Sequence, residues 1–201
     1  MQRFFKVFLI LSLFTAFLAS TTLAAETPTN QVKNILDQIM TIQNNPQLEG
    51  EAHLEQRKSA IKNVIARNFD FDSMAQLSLG NYWDKMSNSQ RSEFKTVFRD
   101  LFQDSYTRLV LNFLKREKIL YNKEESAQGR ASVKTTIERT NDQIAVDYYL
   151  KPVNNKWLVT DVDIDGVSIA GNYRNAFTRV IKMDSFSGLM QKMRLQQKAV
   201  D

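Results

Sequence analysis

From Phe94 to Leu114 the apolar residues keep a helical repeat for about five turns. They are Phe94, Val97, Phe98, Leu101, Phe102, Tyr106, Leu109, Val110, Phe113 and Leu114. A stripe this wide and aromatic must be covered by another large apolar surface. A packed core is the ordinary cover; a helix that lines a cavity reads the same way. Ser87-Asn88-Ser89-Gln90 has capping-box spacing and marks where this helix starts.

After Lys115 the period drops to two. A strand is predicted over Lys118–Asn122. In Arg130–Thr140, Ala131, Val133, Thr135 and Ile137 alternate with Ser132, Lys134, Thr136 and Glu138. Asn141-Asp142 reads as a turn, and Ile144, Val146, Tyr148 and Leu150 then form the next apolar face. Val153-Asn154-Asn155-Lys156 makes a second turn into a strand over Trp157–Ile164. These segments describe an antiparallel meander with one apolar and one wet face.

Helices flank the meander on both sides. Thr29–Gln43 carries Val32, Ile35, Leu36, Ile39 and Met40 at helical spacing, and Asn44-Asn45-Pro46 stops it. A second helix is expected over Glu51–Arg67. Asp72 is the expected N-cap of a short helix ended by Gly80. Gly171–Met183 and Ser185–Lys198 close the chain. Helices, consecutive strands and further helices predict an α+β fold with the helices against one sheet face.

The first 24 residues read as a secretory signal peptide. Arg3 and Lys6 precede the apolar run Val7–Leu18, and small residues follow it. Cleavage is expected after Ala24, with Ala25 as the alternative. The run is shorter than the ~20 residues a membrane span needs. The expected mature chain, 25–201, is then one exported, soluble domain. It is mainly helical over 25–116, a meander over 117–167 and helical again over 168–201. The chain has no cysteine, which excludes disulfides, thiolate metal sites and cysteine nucleophiles. Of 27 basic residues, Arg3 and Lys6 leave with the leader, so 25 face 22 acidic ones. A net of +3 suits solubility better than nucleic-acid binding.

Asp161, Asp163 and Asp165, followed by Gly166, match the first half of a calcium-binding loop. The twelfth position, which should hold a bidentate glutamate, is Asn172. The three carboxylates are therefore expected on the wet face of an edge strand, opposite Leu158, Thr160, Val162 and Ile164, with no metal. His53 is the only histidine and has no nucleophile or carboxylate beside it in sequence. Phosphate-loop, nucleophile-elbow and zinc motifs are missing. Tyr173-Arg174 fits either a phosphate contact or a structural ion pair. Asp/Glu or Ser/Lys dyads leave no local signature and stay open. The residues favour binding over catalysis, with no cofactor, but do not name the ligand.

Two blocks carry a resemblance to a known family. The first, Phe69–Val110, holds Phe69-Asp70-Phe71, Met74-Ala75, Leu79-Gly80, Tyr82-Trp83, Gln90 and Phe94. The second, Trp157–Ile181, holds Trp157, Asp161, Gly166-Val167-Ser168, Tyr173-Arg174 and Phe177, followed by Ser187-Gly188-Leu189. Together they resemble the MlaC, or toluene-tolerance auxiliary, family. Ile169 and Ala170 stand where that family commonly has Leu and Asn. The resemblance implies a periplasmic phospholipid carrier that helps maintain outer-membrane lipid asymmetry. Its implied partners are an outer-membrane lipoprotein–porin complex and an inner-membrane ABC transporter with a lipid-binding ring. The implied fold is a curved cystatin/NTF2-like sheet wrapped by helices, with acyl tails between sheet and helices.

At ~0.8 kcal/mol per buried CH₂, two chains with roughly 30 methylenes would cost more than about 20 kcal/mol to hold in water. The expected pocket is therefore deep and apolar, near or above the upper end of the usual ~300–1,000 Å³. The candidate lining is Phe98, Leu101, Phe102 and Tyr106 from the long helix. The sheet adds Val133, Ile137, Ile144, Val146, Tyr148, Val162 and Ile164, and the passage to the next helix adds Val167, Ile169, Tyr173 and Phe177. A periplasmic chaperone or lipoprotein carrier would use the same apolar cavity, and a hydrolase would need clustered polar groups inside it.

Overall fold

The computed structural model describes residues 26–198, so the leader expected over the first 24 residues lies outside the described residues. Helices α1 (Pro28–Gln43), α2 (Leu54–Asn68), α3 (Phe71–Leu79) and α4 (Asn88–Phe113) come first. Strands β1 (Lys118–Ala127), β2 (Arg130–Glu138), β3 (Gln143–Val153), β4 (Lys156–Ile164) and β5 (Val167–Ser168) follow. Helices α5 (Ile169–Met183) and α6 (Phe186–Lys198) finish the described chain. The strands form one antiparallel sheet in sequence order, β1-β2-β3-β4-β5, so the α+β meander is the observed architecture.

Three of the four strand connections are two-residue turns whose central residues both have positive φ. They are Gln128-Gly129, Asn154-Asn155 and Asp165-Gly166. Positive φ at both positions matches the right-handed twist of the flanking strands and favours Asn, Asp and Gly. Asp165-Gly166, half of the apparent calcium signature, is thus the β4–β5 hairpin turn. Asp165 Oδ1 accepts from the Ala145 amide at 2.9 Å.

Asp161 is also not the solvent-facing carboxylate expected from the alternation. It is half-buried and accepts from Ser168 Oγ at 2.5 Å, the Ala170 amide at 3.0 Å and the Val162 amide at 2.8 Å. Ser168 in turn caps α5, accepting from the Gly171 amide at 2.8 Å. Nor is β4 an edge, since it lies between β3 and β5. Its facing departs from the expected one as well. A bulge between the Tyr149/Asp161 and Leu150/Val159 pairs leaves Thr160 unpaired. Val159 and Val162 are consequently both buried, three positions apart, because the extra residue resets the alternation.

Other boundaries moved for local reasons. Asp70, not Asp72, caps α3, because Phe69 is still extended and bridges to Val159 of β4. The second helix begins as a single 3₁₀ turn, Glu51–His53. Strand β1 runs five residues past the predicted end, through Ala127. Lys123–Ala127 are exposed, so they carry no apolar alternation to read.

Helix α4 is the central element. Ser87 and Gln90 form the predicted capping box at its start. At its other end Gln43 of α1 donates to the carbonyls of Val110, Leu111 and Leu114. Phe94, Phe98, Phe102 and Tyr106, each four residues from the next, stack along one face with ring centroids 5.7, 6.0 and 5.5 Å apart. Residues spaced by four share a helix face, which makes this column continuous. Helix α4 packs closely on α2, α3 and α6, while side chains span a wider gap between it and the strands. That gap positions the site.

An apolar cleft between the long helix and the sheet

Two adjacent chambers occupy the space between α4 and the sheet. The first, about 250 Å³, is bounded by Phe102, Ser105, Tyr106 and Leu109 of α4, Ile164 of β4, Val167 of β5, and Ile169, Asn172 and Tyr173 of α5. The second, about 210 Å³, is bounded by Leu36, Tyr106, Leu109, Val110, Phe113 and Leu114 on the helical side. Ile137, Ile144, Val146, Tyr148, Ile164 and Asp165 close it on the sheet side. Tyr106, Leu109 and Ile164 belong to both linings and form the common wall.

Ten of the fifteen sequence-predicted lining residues meet at this cleft: Phe102, Tyr106, Ile137, Ile144, Val146, Tyr148, Ile164, Val167, Ile169 and Tyr173. The structure places the other five, Phe98, Leu101, Val133, Val162 and Phe177, in the packed core. Phe98 is covered by Tyr173 and Phe177, with centroids at 5.5 and 6.4 Å. Leu109, Val110, Phe113 and Leu114 of the α4 stripe also line the cleft, beyond the predicted set. Their position toward the C-terminal end of α4, beyond the aromatic column, was the available signal. Leu36, Ser105, Asn172 and Asp165 were also missed. Leu36 comes from a remote helix, and the other three are polar.

The expectation of a pocket at the upper end of the usual ligand range is not met. Each chamber is smaller than the ~300 Å³ lower end. The reason is the common wall, which divides the space, together with the dense aromatic packing beside it. Phe69 lies 5.3 Å from Tyr106, and Tyr173 lies 5.3 Å from Phe177. At the rim, Phe113 is 50% and Val167 is 59% exposed, large apolar groups left toward solvent at two edges of the cleft. The Arg139 guanidinium stands over the Phe113 ring at 5.8 Å.

The few polar groups that line the cleft are the phenols of Tyr106, Tyr148 and Tyr173, the Ser105 hydroxyl, the Asn172 carboxamide and the Asp165 carboxylate. Burial pushes the Tyr148 and Tyr106 phenols well above their ordinary range; each also faces the other's hydroxyl. Burial likewise raises Tyr173, with the Ser105 hydroxyl and the Arg108 charge partly opposing it. These groups stay neutral at physiological pH and leave the cleft uncharged except for Asp165 at its edge. His53 lies away from the cleft, its Nδ1 2.9 Å from Gln56 Oε1. A hollow of about 620 Å³ near the β2–β3 connection is larger but open and lined by charged and polar side chains.

Residues 33–195 match the family model described as MlaC protein. The chain belongs to the MlaC family. Seven chains of known structure match this MlaC protein. One is the phospholipid-binding protein from Ralstonia solanacearum, determined in complex with a phospholipid. It superposes with a TM-score of 0.73 at 23% identity, over 88% of this chain and 98% of that one. At this identity the likeness establishes the shared fold. The search of curated protein sequences found no match.

Proposed function

We propose that this MlaC protein binds a phospholipid with its acyl tails in the cleft between α4 and the sheet. The observation that carries this reading is the cleft itself. Two apolar chambers share a wall of three side chains and reach the surface beside exposed Phe113 and Val167. The phospholipid-bound Ralstonia solanacearum protein of the same fold supports it. A cavity whose one charge, Asp165, lies at its edge offers tails a substitute for the bilayer and makes no demand on headgroup chemistry. Because each chamber is small, loading requires the common wall to move: Leu109 and Ile164 swing aside and α4 separates from the sheet.

In this reading the protein is a carrier without catalytic residues. It is exported to the periplasm after removal of the first 24 residues. There it moves phospholipid between an outer-membrane lipoprotein–porin complex and an inner-membrane ABC transporter with a lipid-binding ring, maintaining outer-membrane asymmetry. Native and denaturing mass spectrometry of the purified protein tests lipid binding. Stoichiometric two-chain phospholipid is expected. An empty protein that also fails to extract lipid from liposomes would overturn it. N-terminal sequencing of protein recovered from cell fractions tests export, with Ala25 expected as the first residue of a periplasmic species.

A further inference from the structure

On the far side of α5 from the cleft lies a second hollow, about 290 Å³, that shares no lining residue with either chamber. Three cations from three elements converge on it: Arg130 at the start of β2, Lys151 of β3 and Arg174 of α5. Tyr173 and Arg174 thus divide their work, the ring turned to the cleft and the guanidinium side to the hollow.

The three cations are not equivalent. The Lys151 ammonium is held at 2.5 Å from Asp70 Oδ2 and 2.7 Å from Ser73 Oγ, which fixes its position and leaves one of its three N–H donors over. Among the described residues, neither Arg130 nor Arg174 has a carboxylate within 4.0 Å or a side-chain hydrogen bond. The Arg174 stem is nevertheless placed. Its Cδ lies where a Cβ on Gly80 would come within 2.9 Å, and Gly80 has φ +51°. Glycine at this helix end therefore lets the arginine lie directly against the backbone, over the hollow.

We propose that this hollow is an anion site that takes a phosphate group, either free phosphate or the phosphodiester of a lipid headgroup. Two unpaired guanidinium forks can share the oxygens of one phosphate, and a fixed ammonium adds a third donor. The volume accommodates either ligand. The site is separate from the apolar cleft and does not depend on tails being bound there.

Calorimetric titration of the purified protein at low ionic strength, with inorganic phosphate and in parallel with glycerophosphoethanolamine, tests it. The second probe carries the headgroup and glycerol of a phospholipid but no tails. Saturable one-site binding is expected, weakened about tenfold to a hundredfold in Arg130→Gln and in Arg174→Gln. Both variants keep the wild-type circular dichroism and melting temperature, since neither arginine is paired within the fold. Tighter binding of inorganic phosphate would assign the site to the free ion; tighter binding of the phosphodiester would assign it to a headgroup. Failure of both probes to bind, or binding that both variants retain in full, would overturn the proposal.

Discussion

The Lys151 ammonium lies 2.5 Å from Asp70 Oδ2, so strand β3 is fastened to the residue that caps α3. Asp70 also accepts from the Ser73 amide at 3.0 Å and the Ser73 hydroxyl at 2.9 Å. Its side chain is only 10% exposed. Burial alone would raise its pKa, but the Lys151 hydrogen bond, the two from Ser73 and the Lys151 charge outweigh it and hold the carboxyl below 3.8. A lowered carboxyl pKa contributes stability that is present above the unfolded value and lost as pH falls through the folded one. Asp70→Asn keeps a capping oxygen and removes the charge. It should cost about 1–2 kcal/mol near neutral pH, a charge-assisted bond discounted for the exposed lysine. The gap should close as pH falls below the ordinary aspartate value, ~4, and through the lowered folded one, as urea unfolding of both proteins would show. A gap that stays constant into acid would mean that the charge contributes nothing.

Asp161 organises the β4–β5 hairpin and the first turn of α5 through three accepted hydrogen bonds. Asp161→Ala should lower stability by about 1–3 kcal/mol, the range for losing a cap together with a buried acceptor. Because the carboxylate is engaged by backbone and hydroxyl donors, millimolar calcium should leave the melting temperature of the wild-type protein unchanged. A calcium-dependent rise that Asp161→Ala abolishes would restore the ion-binding interpretation of Asp161-Val162-Asp163-Ile164-Asp165-Gly166.

The fold was legible where one periodicity dominated. The α4 stripe, its capping box and the alternation of β2 and β3 identified the helix, the sheet and the greasy face between them. Thr160 marks the limit: a single bulged residue reverses the facing of β4, and neither composition nor spacing announces it. The site was legible as a set of surfaces but not as a boundary. Phe98 and Tyr106 sit two turns apart on one face, yet one is core and the other cleft wall. What decides between them is how α5 and the sheet approach α4, a tertiary arrangement that no local pattern encodes.

Tyr106 and Tyr148 carry buried phenols whose pKa values are raised by desolvation, and burial with the Asp37 charge pushes Tyr121 up to about 12. A raised pKa contributes stability that is intact below the unfolded tyrosine value, ~10, and is lost as pH climbs towards the folded values. Alkaline titration should therefore show the phenolate absorbance of Tyr106 and Tyr148 only as the protein unfolds, in one cooperative step with the loss of circular dichroism. Tyr148→Phe should reduce the amplitude of that step. Smooth ionisation of the Tyr148 phenol in the folded protein would show instead that water reaches the sheet side of the cleft.

Leu109 and Leu101 lie two turns apart on α4 and separate wall from core. Leu109 is half-buried and borders both chambers, whereas Leu101 is fully buried and borders neither. Leu109→Trp places a rigid ring at the junction, in space that is hollow, so it should leave the melting temperature within a few degrees of wild type. It should also cut the fraction of molecules carrying phospholipid several-fold. Leu101→Ala should do the reverse, costing about 2–5 kcal/mol of stability through the cavity it leaves. Lipid occupancy per folded molecule should then be unaltered. Mass-spectrometric lipid stoichiometry and thermal unfolding of the two variants give the comparison. If Leu109→Trp loads lipid as well as the wild type, the tails do not pass the common wall, and the two chambers cannot act as one cleft.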